Sequence, residues 1–386
     1  MPLATAVPLA SYDQAAGETL DLSNELAEII RRDNTSFLGR VGISGVATQT
    51  KHSWMEDSLN ANSATTPNSA AGFLDDSETS LDVSAGHGLR FRPGTMFKDS
   101  ATGKSEVIQV TGVSTDTLTI VRGYGGTTAQ VHGVSAATGF SIQIISHPAQ
   151  EGQDMPADES KIRTKVSNFT QIFQKGISVS HTMRAVNQAG VADEFSLQVS
   201  RRLMEVMREL DSALINGISS ASQGSDTVYR SMGGIVQYAS QAGGNVSSVS
   251  EALTLSVINT MCKQIWDDGG YPDFILVGGK QKRAIATFDQ SARRSNYDTQ
   301  TAGYVVDRII TDLGFMLDVI VDPQVPDDVI IIGDLDKVKV MPLANSAMHV
   351  EDIAKTGAST KAMIYGEYTA EFRNAKEAFA FHDNLS

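Results

Sequence analysis

The 386-residue sequence predicts an α+β protein carrying a small inserted all-β module. Three stretches carry that prediction. Asp193–Gly217 places Phe195, Val199, Leu203, Val206, Leu210, Ala213 and Leu214 at spacings of three and four, the pattern of one apolar face on a single long helix. Residues 80–146 alternate with period two, as at Leu118 and Ile120 and at Phe140, Ile142 and Ile144, between turns rich in Gly and Asp. Residues 247–345 alternate helical patterns with short apolar runs, the mark of a regular α/β region.

The long helix has its own start and stop signals. Asp193 is placed to cap it, Glu194 suits the positive end of the helix dipole, and Gly217 closes the pattern. Arg201, Arg202, Glu205, Arg208 and Glu209 fall away from the apolar stripe. At about 1.5 Å per residue the rod is ~36 Å long, about the width of a small domain.

Composition bounds the function. Apolar residues make up 41% and charged residues 20%, ordinary for a folded protein. The net charge of −14 opposes a nucleic-acid grip, which needs Lys and Arg against phosphates. A single cysteine, Cys262, excludes an intrachain disulfide; within LSVINTMCKQIW it reads as a buried thiol. MPLATAVPLASYDQ lacks the basic start of a secretory signal, and no run of 18 apolar residues suggests a membrane span.

Taken in order, residues 1 to about 24 form an extended arm of small residues and prolines. A short helix follows in DLSNELAEIIRR, with Leu22, Leu26, Ile29 and Ile30 on one side. The stretch from Val46 to about residue 80 begins as a polar strand and becomes a long loop too poor in apolar residues for a core of its own. After the β module, a polar segment returns the chain to a strand, NFTQIFQKGISVSHT, ahead of the long helix. Ser248 and Glu251 suggest a capping box for a helix bearing Leu253, Val257, Met261, Ile265 and Trp266. DFILVGG is a buried strand, KQKRAIATFD a helix, and MLDVIVDP and VIIIGDLDKVKVMPL further strands. The tail, KAMIYGEYTAEFRNAKEAFAFHD, reads as two strands joined by a turn near Asn374, pairing near the long helix.

No motif assembles an active site. Gly123–Tyr124–Gly125–Gly126–Thr127–Thr128 lacks the Lys-Ser/Thr of a phosphate loop and reads as a tight turn. Ser44 and Ser219 lack the second glycine of a nucleophile elbow. The seven histidines show no H-x-x-H spacing, and Asp334 and Asp336 lack the other ligands of a calcium loop. Glu56, Asp57, Asp75 and Asp76 read as loop carboxylates. No catalytic residue, cofactor or metal ligand is expected.

The order of elements resembles the major capsid protein of tailed bacteriophages, the Hong Kong 97-type fold. LSNELAEIIRRDNTSFLGRVG followed by HSWMEDSL is similar to the opening of a phage major head protein family, with Ser36 where that family has proline in "T-P-F-L". NFTQIFQKGISVSHTMRAV, the helix ending ALING, and GEYTAEFRNAKEAFAF resemble its later blocks. The resemblance implies an N-terminal arm at 1–48, an extended loop at 49–80 and 147–168, and an inserted β-barrel or sandwich at 81–146. It further implies a peripheral domain at 169–235 and 346–386 with a spine helix at 193–217, and an axial domain at 236–345. The spine core would be Phe195, Val199, Leu203, Val206 and Leu210. Trp54, Glu56, Asp57, Arg201, Arg202, Glu205 and Arg208 are the candidate contacts between subunits.

The function so implied is structural: self-assembly through hexamers and pentamers into an icosahedral shell around double-stranded DNA. The protein would be made in the host bacterial cytoplasm and reside in the virion. Separate scaffolding, portal and decoration proteins are the expected partners, DNA is enclosed without sequence-specific binding, and no membrane is involved. An encapsulin-like shell and a phage tail or adhesin module built on the β insert are the alternatives.

Overall fold

The computed structural model describes residues 36–57, 59–69, 72–133, 139–155, 160, 162–186, 193–241, 243–288, 307–354 and 357–386. The expected helix at DLSNELAEIIRR lies outside them. The chain forms α1 (Ser36–Val41), β1 (Lys51–Glu56), β2 (Ser63–Thr65), β3 (Ser80–Asp82), β4 (Met96–Asp99), β5 (Ile108–Ser114), β6 (Thr117–Val121) and β7 (Ser141–Ser146). It continues through β8 (Thr164–Phe169), β9 (Gln171–Ser180), α2 (His181–Ala185), α3 (Glu194–Asn216), α4 (Ile235–Ala239) and β10 (Asn245–Ser247). Next come α5 (Leu255–Asp267), β11 (Phe274–Val277), α6 (Gly279–Ala286), β12 (Arg308–Ile310), β13 (Met316–Val321) and β14 (Ile330–Gly333). β15 (Val338–Pro342), β16 (His349–Ile353), β17 (Ser359–Phe372), α7 (Ala375–Ala378) and β18 (Phe379–His382) complete it.

Two compact units result, one from the described residues of Met1–Trp54 and Lys165–Ser386, the other from Met55–Thr164. In the first, a six-stranded sheet runs β10-β18-β14-β11-β13-β12. Its central strands, FILV and IIIG, are buried throughout, because both faces are covered. The strand period of two divides their side chains: Phe274, Leu276 and Ile331 join the core that receives α3, whereas Ile275, Val277, Ile330 and Ile332 pack with Val257, Ile258, Met261 and Ile265 of α5. The second sheet centres on β17, which pairs with β9 from Ser359↔Ser180 to Tyr368↔Gln171 and with β15 and β16 along its other edge.

One local expectation is corrected, and two are made more specific. The head of α5 is Thr254, whose side chain accepts from the Val257 N–H; Glu251 instead bridges to Leu385 and meets His382 at 3.0 Å. The tail has the two expected strands and the turn near Asn374, but the strands join different sheets: β17 belongs to the β9 sheet, while β18 lies between β10 and β14. Asn374 turns the chain in the left-handed region (φ 49°) and α7 carries it across. Alternation alone carries no information about which sheet a strand joins. Finally, VIIIGDLDKVKVMPL divides between sheets, β14 in one and β15 in the other.

The second unit is a six-stranded antiparallel sheet of order β2-β7-β4-β5-β6-β3 around Leu74, Leu81, Phe97, Ile108, Leu118, Ile120 and Ile142. It starts at Ser63, inside the stretch expected to be loop. β2 has only three residues, with Ala64 alone turned inward, too few for a visible period. Within it, Glu106 is fully buried and accepts from Arg122 Nε and Nη2 at 2.8 Å, from the backbone N–H groups of Gly123 and Gln130, and contacts His132 Nε2 at 2.8 Å. His132 Nδ1 lies 3.0 Å from Asp99. Burial raises the Glu106 pKa, but these donors outweigh it and hold the carboxyl at about 2. This hub fastens the 122–132 loop, including the Gly123–Gly126 turn, which is the tight turn its sequence implies.

Candidate assembly surface

The long helix is the natural starting point. Asp193 caps α3, accepting from the Phe195 N–H at 3.1 Å and the Ser196 hydroxyl at 2.7 Å. At its other end Gly217 has an ordinary φ of −59°, so it does not serve as a left-handed cap. Glycine is needed there because a Cβ would stand 2.3 Å from the Ala213 carbonyl and 2.6 Å from that of Met232.

The two halves of α3 differ. Val206, Leu210, Leu214 and Ile215 are fully buried in the main core, whereas Phe195 and Val199 are only partly covered. Leu203, expected in that core, is corrected: it is 39% exposed, and its neighbour Met204 is exposed as well. Leu203 is in phase with Leu210, seven residues on. The helix is simply longer than the core beneath it, so its first half extends past full cover. Beside that half runs a groove of about 640 Å³ between β9 and α3, lined by Ile177, Val179, Met183, Glu194, Gln198 and Arg202 among others. Among the described residues β9 pairs only with β17, so its outer edge offers unpaired backbone donors and acceptors. Arg202 pairs with Glu205 at 2.5 Å, and Glu209 with Lys175 of β9. Arg208 is exposed and Arg201 half-buried.

β1 and β8 pair as a two-stranded ribbon. Trp54, an expected contact between subunits, is corrected: it is buried in its own chain, 6.0 Å from Tyr238, which stacks on Phe372 at 5.1 Å. An indole of that size is drawn into the nearest apolar core. Glu56 is half-buried, and Asp57 is exposed and 3.3 Å from Arg163. Sequence reasoning passed over three other residues in the second unit. Leu59, Met155 and Ile162 are 93%, 87% and 94% exposed, large side chains left in water at their own cost. The available signal was an isolated apolar residue in an otherwise polar loop.

Among the described residues no group of three or more His, Cys, Asp or Glu could hold a metal ion, and no helix is long and apolar enough to cross a membrane. The Cys262 thiol is fully buried, and burial pushes its pKa up to about 12.

A long helix laid on an open-edged sheet, a second sheet under α5, and an inserted β module together form the Hong Kong 97-type capsid fold. The solved capsid of a native GTA particle matches at a TM-score of 0.54 and 10% identity, over 100% of both chains. A structure of Microbacterium phage Oxtober96 matches at 0.50 and 13%, over 97% of this chain and 98% of that one. At such identity the likeness is one of fold. None of the curated proteins compared matches the chain. The family model for the SU10 major capsid protein matches residues 10–386, and the chain belongs to that family. It is a phage-type, shell-forming major capsid protein, a structural protein and not an enzyme.

Proposed function

We propose that this subunit assembles, as hexamers and pentamers, into the icosahedral head of a tailed phage and encloses its double-stranded DNA. The observation that carries the reading is the uncovered first half of α3, with Leu203 and Met204 exposed beside the open edge of β9. A neighbouring subunit would supply the missing cover. Exposed Leu59, Met155 and Ile162 support the same reading, since an extended segment gains its burial against another chain. Glu56, Asp57, Arg201, Arg202, Glu205 and Arg208 are the polar part of these contacts; Trp54 is not. In this reading residues 1–48 act as an arm, 49–80 and 147–168 as an extended loop, 169–235 with 346–386 as the peripheral domain, and 236–345 as the axial domain. The net charge of −14 would keep packaged DNA from adhering to the shell. Scaffolding, portal and decoration proteins, and synthesis in the host cytoplasm, follow from the resemblance. The test is Leu59→Asp with Ile162→Asp. The variant should fold as the parent does but sediment as small species, without nuclease-protected DNA. Normal DNA-filled particles from it would defeat the reading.

A further inference from the structure

Two aspartates are buried side by side in the main core. Asp211, on α3, is 1% exposed, and Asp322, just past β13, is fully buried. Phe37 and Leu38, whose N–H groups they hold, belong to the main apolar core, as do Leu210 and Leu214 next to Asp211 along α3. Their remaining partners are backbone N–H groups. Asp322 Oδ2 accepts from Ser36 at 3.1 Å and Phe37 at 3.2 Å, and its Oδ1 from Gln324 at 2.9 Å. Asp211 Oδ1 accepts from Leu38 at 2.9 Å. Three successive N–H groups of α1 are therefore held by two carboxyls from separate elements, one on α3 and one at the end of β13.

Among the described residues, cations on the packed elements form ion pairs with other carboxylates. Arg40 of α1 meets Asp318 of β13 at 3.5 Å, and Arg308 of β12 holds that same Asp318 at 2.7 Å. Lys175 of β9 pairs with Glu209 of α3, and Arg202 of α3 with Glu205. Among the described residues neither carboxyl forms an ion pair, and two adjacent carboxylates in an apolar core repel strongly. One proton shared between them converts the repulsion into a hydrogen bond.

We propose that Asp211 and Asp322 form a proton-dependent clasp on α1, which stays docked on α3 and β13 while the pair shares one proton and loosens when that proton leaves. The inference does not depend on shell assembly. Burial, and then the hydrogen bond to Asp322, raise the Asp211 pKa from 3.8 to about 7, with the Leu38 N–H opposing them. The docked state thus binds the proton more tightly than the undocked state. Docking is favoured at low pH, weakens as pH rises from about 4 to about 7, and levels off above that.

The experiment is hydrogen exchange by mass spectrometry on the full chain at pH 6 and pH 8, corrected for intrinsic exchange and read on the amides of residues 36–41. With a docked pKa of about 7, protection should fall about tenfold between these pH values. Asp211→Asn keeps the acceptor for Leu38 and gives Asp322 a permanent donor, so its protection should change less than twofold. Wild-type protection that is flat across this range, or the same tenfold fall in Asp211→Asn, would overturn the proposal. If Asp211→Asn fails to fold, infrared difference spectra of the wild type decide. A protonated-carboxyl band that titrates near neutrality supports the clasp, and absence of that band at pH 6 refutes it.

Discussion

Leu203 and Leu210 lie seven residues apart on one helix face, yet they should respond differently to truncation. Leu210 is fully buried in the main core beneath α3, and Leu210→Ala removes its packing in the unassembled subunit. Cavity-forming Leu→Ala changes at such sites cost ~2–5 kcal/mol. Leu203 is already 39% exposed, so the same truncation loses less apolar burial and leaves a dent rather than a closed cavity. The expected cost there is below ~1.5 kcal/mol. The order reverses on assembly, where Leu203→Ala should reduce particle yield because its cover comes from a neighbour. Denaturant unfolding of unassembled subunits measures the first quantity, and sedimentation of particles the second. Equal destabilisation of the free subunit by both variants would refute the division of α3 into a covered and an uncovered half. So would Leu203→Ala particles formed at full yield.

Other outcomes are as definite. Glu106→Gln should destabilise the β module by ~2–4 kcal/mol at neutral pH, read as faster exchange of the 108–121 amides, because Arg122 and His132 lose a buried anionic partner. In the parent, the Glu106 carboxylate is held at about 2 from an ordinary 4.5. Its contribution, about 3 kcal/mol, is complete above pH 4.5 and lost as pH falls toward 2. Gly217→Ala should cost ~2 kcal/mol or more through collision with the Ala213 and Met232 carbonyls, although its φ suits any residue. A thermal scan showing no loss would place that turn wrongly. Cys262, with its buried thiol, should resist a thiol reagent in the native protein and react with one equivalent in denaturant.

The sequence made the long helix legible because its apolar stripe, its Asp193 cap and its closing glycine agree. It also revealed the buried strands FILV and IIIG, which are too apolar for any partly exposed place. Sheet membership was hidden: nothing local in EAFAFH shows that β18 slots between β10 and β14. The extent of cover along α3 was hidden too, since phase identifies a face but not where the core beneath it ends. The Glu106 hub joins residues as far apart as Asp99 and His132, and no spacing rule connects them. Asp211 was more accessible. A carboxylate between Leu210 and Leu214, on the buried side of an amphipathic helix, is a departure that sequence alone exposes. The resemblance to phage head proteins rested on the order of elements and short blocks of text, and the family match covers nearly the whole chain.

The central claim is that this chain closes into a shell with copies of itself. Electron microscopy of the purified, concentrated full-length protein tests it most directly. Closed icosahedral particles, or rings and sheets of the same subunit contacts, are the predicted result. A monodisperse monomer at every concentration and ionic condition would contradict it.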